Sequence, residues 1–321
     1  MSRMENESPV DQGRRALLGA AFATVVASPL AALPAPETVD LWPGDPPESP
    51  GPRLTEHVND RGTITGVARP RLNVFRPPQP NGTALVVIAG GGYVRIGAGH
   101  ESTPACQWLQ SLGVTAFELI YRLPGDGWPP RAPLQDAQRA LRLVRAGVRA
   151  DGLAPDRIGV LGFSAGGHLA GMTAVRPATP LYKPVDTADT ASARPDFAAL
   201  IYPVISMLPP LDHTRSRREM LGSDVSEGDA AAFSVDRQVD RETPRTFLAH
   251  AADDPIAAVD HSLRMFDALR RMDVPAELHV FQSGGHGWGL GLPGAESHAW
   301  PGLFAAWMVS NKLFPPQPSS K

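Results

Sequence analysis

The sequence predicts an α/β fold, a mostly parallel central sheet with helices on both faces and a short cap insertion. Three observations carry this prediction. From Thr83 onward, short apolar runs alternate with longer helical patterns, the rhythm of strand–helix–strand units that build parallel sheets. The run Ala84–Ala89 (Ala-Leu-Val-Val-Ile-Ala) is apolar at every position, as a strand buried on both faces should be. The candidate chemical groups all fall just past the carboxyl ends of expected strands, where open α/β sheets place their sites. The length of 321 residues suits one large α/β domain or two small ones.

Taken in order, the segment Pro36–Pro52 is proline-rich and reads as an extended lead-in with little helix or strand potential. Leu54–Val58 and Leu72–Arg76 read as strands of an edge hairpin or its equivalent, so that 36–82 precedes the main domain. Ala84–Ala89 is the first buried strand. Glu101–Leu112 is a helix that ends before Gly113, and Val114–Tyr121 is the next strand. Ala132–Val148 is a long amphipathic helix with Leu134, Ala137, Leu141 and Val144 on one face. Strands follow at Arg157–Leu161, Phe197–Tyr202, Arg245–His250 and Ala276–Phe281, and a helix begins near Gly167–Met172. Ser206–Thr243 breaks the rhythm. It is rich in charge and small residues and reads as two or three short helices capping or rimming a pocket. The main domain is expected over 83–315, the cap over about 206–243 and a tail over 316–321.

The amino end has a different character. Arg14-Arg15 precede the apolar run Ala16–Ala27, and a small-residue and proline region follows from Ser28 to Ala35. A charged head, a short apolar middle and a small-residue exit describe an export signal, too short to span a membrane. The paired arginines suggest the twin-arginine route. Residues 1–35 are thus expected to direct the chain to a bacterial periplasm or beyond, leaving no membrane span in the mature protein.

Composition narrows the partners. The net charge is −3, and no basic stripe speaks for nucleic acid. The single cysteine, Cys106, cannot form an internal disulfide and reads as a packed core thiol. No Cys-x-x-Cys or His-Glu-x-x-His spacing occurs, so no zinc site is expected.

The pentapeptide Gly162-Phe163-Ser164-Ala165-Gly166 stands between an expected strand and an expected helix. A serine at such a sharp turn is lifted out of the backbone, and flanking glycines let the chain pass close by. A serine hydroxyl is a weak nucleophile near neutral pH. It needs a histidine to take its proton and a carboxylate to orient that histidine. Asp253-Asp254 follow the strand ending at His250, and His286 lies in Gly284-Gly285-His286-Gly287 after the last strand. The chain order serine, acid, histidine is that of the α/β-hydrolases. The usual spacing of the acid, four residues beyond the strand-ending His250, selects Asp254, with Asp253 the alternative. Ser164, Asp254 and His286 are the expected catalytic residues.

An acyl-transfer site also needs fixed donors for a developing oxyanion. Gly90-Gly91-Gly92-Tyr93 follows the first buried strand, and the backbone N–H groups of Gly91, Gly92 and Ala165 are the expected donors, with Tyr93 N–H as the alternative to the loop pair. Tyr93, Trp128 and Trp288 are candidate stacking surfaces for a sugar or aryl group, with core packing as the competing role. His168 is expected to pack or cap near the site and His250 to close its strand. His261, His279 and His298 read as ordinary, partly exposed residues.

These motifs occur together with Tyr121-Arg122-Leu123-Pro124, Asp136–Arg142 and Gly167-His168-Leu169-Ala170. In that combination the chain resembles bacterial α/β-hydrolases of the carbohydrate-esterase kind: acetyl xylan esterases, bifunctional acetyl xylan and feruloyl esterases, and relatives labelled xylanase-like. The likeness spans about Leu41 to Leu313. It implies cofactor-free hydrolysis of acetyl, or alternatively feruloyl, esters on plant cell-wall carbohydrate. Export fits such a substrate. The sequence departs from the family at Ala257-Ala258, where Val-Pro is frequent, at His261, where asparagine is frequent, and at Ala89, which replaces a proline or histidine. Three other readings compete: a general carboxylesterase of small esters, a peptidase, and a non-catalytic carbohydrate-binding homologue.

Overall fold

The computed structural model describes residues 35–147 and 152–313. The expected export segment, all but its last residue, and the tail lie outside the described residues. The described residues hold ten strands: β1 (Glu37–Asp40), β2 (His57–Val58), β3 (Ile64–Thr65), β4 (Arg71–Phe75), β5 (Ala84–Ile88), β6 (Thr115–Ile120), β7 (Ile158–Phe163), β8 (Phe197–Ile201), β9 (Arg245–Ala251) and β10 (Ala276–Phe281). Eight of them form one sheet in the order β1-β4-β6-β5-β7-β8-β9-β10. The six from β6 to β10 are mutually parallel, and β4 and β1 extend the sheet antiparallel at one edge.

The parallel strands are buried end to end in β5, β6, β7 and β8, which explains their unbroken apolar runs. Alternate residues face opposite layers. Ala84, Val86 and Ile88 pack on the layer holding α2 (Arg131–Arg145), α3 (Ser164–Val175) and α6 (Asp260–Arg271). Leu85 and Val87 pack on the layer of α1 (Ser102–Ser111) and α7 (Trp300–Ser310), where Cys106 also lies fully buried. The sheet is therefore covered on both faces, as the sequence predicts.

Two expectations at the edge need correction. The expected strand Leu54–Val58 contracts to β2, which pairs with β3 in a separate two-stranded sheet. The outer antiparallel neighbour of β4 is β1, inside the lead-in, with Glu37 opposite Val74 and Asp40 opposite Arg71, and β6 flanks β4 on the inner side. An edge strand that is mostly exposed carries little apolar signal, and its pairing is decided by backbone ladder bonds that composition does not encode. The lead-in is anchored further on. Buried Arg122 pairs with Asp136 at 2.8 Å, Asp136 accepts from Trp42 Nε1 at 2.9 Å, and Arg139 donates to Leu41 O at 2.8 Å. Arg122, Asp136 and Arg139 from the two motifs thus form one polar clamp on the amino-terminal segment, while the Tyr121 hydroxyl donates to Ala89 O at 2.8 Å, just before the glycine loop.

The insertion between β8 and β9 holds two short helices, α4 (Arg215–Leu221) and α5 (Glu227–Ala232). Each starts on a hydroxyl cap: Thr214 accepts from Arg217 N–H and Ser226 from Asp229 N–H.

Candidate active site

Ser164 opens α3 at the end of β7 with φ of +51°, a left-handed conformation that costs a non-glycine residue free energy and recurs at functional turns. The surrounding backbone leaves no room for side chains. A Cβ on Gly166 would lie 2.2 Å from Ile88 O, and one on Gly90 would lie 2.7 Å from both Phe163 O and Ser164 Cβ. The glycine loop after β5 therefore rests directly against the serine.

The three expected catalytic side chains meet. Ser164 Oγ lies 2.8 Å from His286 Nε2, and His286 Nδ1 lies 2.6 Å from Asp254 Oδ2. The Nδ1 position faces a carboxylate and so carries the proton. That leaves Nε2 with a lone pair to accept from the serine hydroxyl. Asp254 is buried, and its Oδ1 accepts from Ile256 and Ala257 N–H at 2.8 and 2.9 Å. Burial works to raise its pKa, but hydrogen bonds from His250, His286 and the Ala257 amide hold it well below the usual carboxylate range. Asp253 is exposed and reaches no imidazole. It accepts from Gly285 N–H at 2.8 Å and so ties down the loop that carries His286.

The amides of Gly91 and Gly92 donate to no protein acceptor among the described residues. Ala165 occupies the first turn of α3, where N–H groups have no partner within the helix. All three expected donors are thus unspent beside the serine. The alternative donor, Tyr93 N–H, likewise donates to no protein acceptor among the described residues.

The aromatic candidates are placed in the competing role, core packing. The Tyr93 hydroxyl binds His168 Nδ1 at 2.8 Å in the interior. Trp128 donates to Val67 O at 3.0 Å and lies under the Arg122 guanidinium. Trp288 is buried against Tyr202, ring centroids 4.5 Å apart. None of the three lines the cavity over Ser164. His261 is also misread as partly exposed. It is buried, and its Nδ1 accepts from Ile205 and Ser206 N–H, each at 3.1 Å. His298 is exposed as expected.

Four supporting groups escape the sequence reading. His250 Nε2 faces two acceptors, Asp254 Oδ2 at 3.2 Å and Ala257 O at 2.8 Å, while its Nδ1 accepts from Ser262 Oγ at 2.7 Å. This histidine therefore positions the acid as well as closing its strand. Glu101 is buried with no ion-pair partner among the described residues. Its Oε2 accepts from Gly90 N–H at 2.6 Å and its Oε1 from Tyr202 O–H at 3.0 Å. The Tyr202 hydroxyl oxygen in turn accepts from Gly289 N–H at 3.0 Å, and its ring lies 5.1 Å from the His286 ring. One buried carboxylate thus links the glycine loop to the histidine loop. His100 adds a bond from its Nε2 to Gly287 O. The only sequence signal for Glu101 is an acid at the amino end of a helix, which is commonplace.

The cavity over Ser164 and His286 has a volume of about 800 Å³. It lies between the glycine loop, the start of α4 and the loops after β9 and β10.

Sheet order, crossover helices and the serine turn together define an α/β-hydrolase. The family model described as BD-FAE matches residues 72–269, and the chain belongs to that family. It is 32% identical over 244 residues to a protein named acetylxylan esterase from Xylanibacter ruminicola, covering 74% of this chain and 46% of that one. It is 32% identical over 205 residues to a protein of Butyrivibrio fibrisolvens named endo-1,4-beta-xylanase B, covering 63% of this chain and 32% of that one. The chain thus spans less than half of the length of these curated relatives. Among solved structures, an acetyl ester-xyloside bifunctional hydrolase from Caldicellulosiruptor lactoaceticus superposes with a TM-score of 0.74 at 34% identity, covering 88% of this chain and 99% of that one. A thermophilic esterase of Thermogutta terrifontis shares the fold at TM-score 0.63 and 23% identity, covering 85% of this chain and 98% of that one.

Proposed function

We propose that the protein is a serine carboxylic-ester hydrolase that removes acetyl groups from plant cell-wall carbohydrate. The observation that carries this reading is the continuous relay Ser164–His286–Asp254 beside three unspent backbone donors. Ser164 attacks the ester carbonyl as His286 Nε2 takes its proton, and Asp254 steadies the imidazolium. The amides of Gly91, Gly92 and Ala165 receive the oxyanion. His286 then protonates the departing sugar hydroxyl, and water, activated by the same imidazole, releases the acid from Ser164. Names of relatives that refer to acetylxylan and acetyl ester-xyloside support the sugar-ester substrate. Feruloyl esters are the alternative acyl group. Export of the chain through its amino-terminal signal belongs to the same reading, because polymer fragments are met outside the cytoplasm.

Acetate release from acetylated xylo-oligosaccharides, measured beside methyl ferulate and simple esters, tests the substrate. Ser164→Ala should lower kcat on p-nitrophenyl acetate by at least about 10⁴-fold while leaving the folded state intact. Turnover equal to wild type would refute the relay. Preference for simple lipophilic esters with no acetate released from the oligosaccharide would replace the sugar-ester reading with that of a general carboxylesterase.

A further inference from the structure

The cavity over Ser164 is bordered by cations. Arg61, Arg95 and Arg215 line it, all three with exposed side chains. Two of them sit against the proposed oxyanion loop. A Cβ built on Gly91 would lie 2.9 Å from Arg95 Cγ, and one on Gly92 would lie 3.0 Å from Arg215 Cγ. Arg61 comes from a separate segment of the lining, its backbone packed on Gly99. Arg215 spends part of its charge on Glu219, at 2.6 Å. Arg61 and Arg95 have no carboxylate partner among the described residues. The only acid among the cavity's described lining residues is Glu101, already buried under the bonds from Gly90 and Tyr202. An arginine-rich, acid-poor mouth attracts anions and holds a carboxylate through planar, paired hydrogen bonds. Neutral sugar hydroxyls need no such charge.

The geometry points to a substrate that carries a carboxylate, recognised by Arg61 and Arg95, on the alcohol side of the scissile ester. This rests on the esterase reading and deepens it. An acetyl group has no position for a charge, so the anion must belong to the sugar or other alcohol that leaves. An acetylated acidic saccharide meets that requirement.

The test compares kcat/KM for 4-acetoxybenzoate, whose leaving group is anionic, with 4-acetoxybenzamide, its neutral analogue of the same shape. Intrinsic reactivity differences cancel when the ratio of the two is compared between wild type and the Arg61→Ala/Arg95→Ala double variant. The anion-to-neutral ratio should fall roughly five- to tenfold in the double variant, the effect expected of two exposed charge contacts. Raising salt to about 0.5 M should lower the wild-type ratio in the same direction, because screening acts on the charge alone. A ratio unchanged by the double substitution, or equal losses on both esters, overturns the proposal. A wild-type enzyme inert toward both esters overturns the esterase reading itself and this inference with it.

Discussion

At the scale of single residues, the site shows how a side chain's neighbours set its protonation. His286 is oriented by Asp254 at 2.6 Å, and Asp254 is in turn held by His250 and two backbone amides. Glu101 has a different task. Burial pushes its carboxyl up from the ordinary value, against the bonds from Gly90 N–H and Tyr202 O–H, so it holds the glycine loop from a site where charge is costly. Glu101→Ala should lower kcat on a small acetate ester by about 10²-fold, the loss expected when a reacting group shifts by an ångström. Glu101→Gln keeps an acceptor for Gly90 and should recover much of that loss. Steady-state kinetics with melting curves checks this. Equal activity in wild type and the alanine variant would show that the loop holds its shape without the carboxylate.

Among elements, the decisive junction is between the loop after β5 and the β7–α3 turn. Gly90 backs onto Ser164 so closely that any Cβ would strike backbone on the serine side. Gly90→Ala should therefore displace the loop and cost on the order of 10² to 10³ in kcat, the usual cost of losing an oxyanion donor. Burst kinetics with p-nitrophenyl acetate would read this, and acylation at the wild-type rate would contradict it. The junction is partly legible in sequence, because Gly90–Gly92 and Gly162–Gly166 announce tight backbone. What holds it is not legible. Glu101 follows Gly90 by 11 residues, yet only the folded turn aims its carboxylate at that amide. α6 and α7 were likewise absent from the sequence reading. In α7 the buried Trp300, Phe304, Trp307 and Met308 form the far wall of one core layer, a role that depends on the sheet they cover.

For the whole molecule, the buried histidines make stability depend on acidity. His168 Nε2 faces Phe233 O and its Nδ1 faces the Tyr93 hydroxyl, so the neutral ring fits, and burial lowers its pKa to about 4. Burial likewise lowers His261 to about 3, where two amides already occupy Nδ1. Both folded values lie below the unfolded one. The stability these residues contribute is complete above about pH 6.5 and is lost as pH falls toward 4, because the unfolded chain takes up the protons first. By the acid end of that window each has cost the fold on the order of 3 kcal/mol. Asp254, with its depressed value, adds a loss confined to pH below about 4. The melting temperature should fall steeply from pH 6.5 to 4, and His168→Gln should flatten that slope. A pH-independent melting temperature over this range would contradict the neutral assignments.

The sequence by itself determined the α/β class, the order of the central elements, the serine turn, and which aspartate and histidine meet that serine. These rest on local patterns: apolar runs, glycines at tight turns, and chain order. Tertiary structure alone decided that β1 and not the Leu54–Val58 segment borders β4, and that Tyr93, Trp128 and Trp288 are core. It also decided that Glu101 and His250 brace the site and that arginines border its mouth. Each of those outcomes depends on distances between segments far apart in the chain, and a side chain's type does not say whether folding will leave it against solvent, against a partner or against nothing.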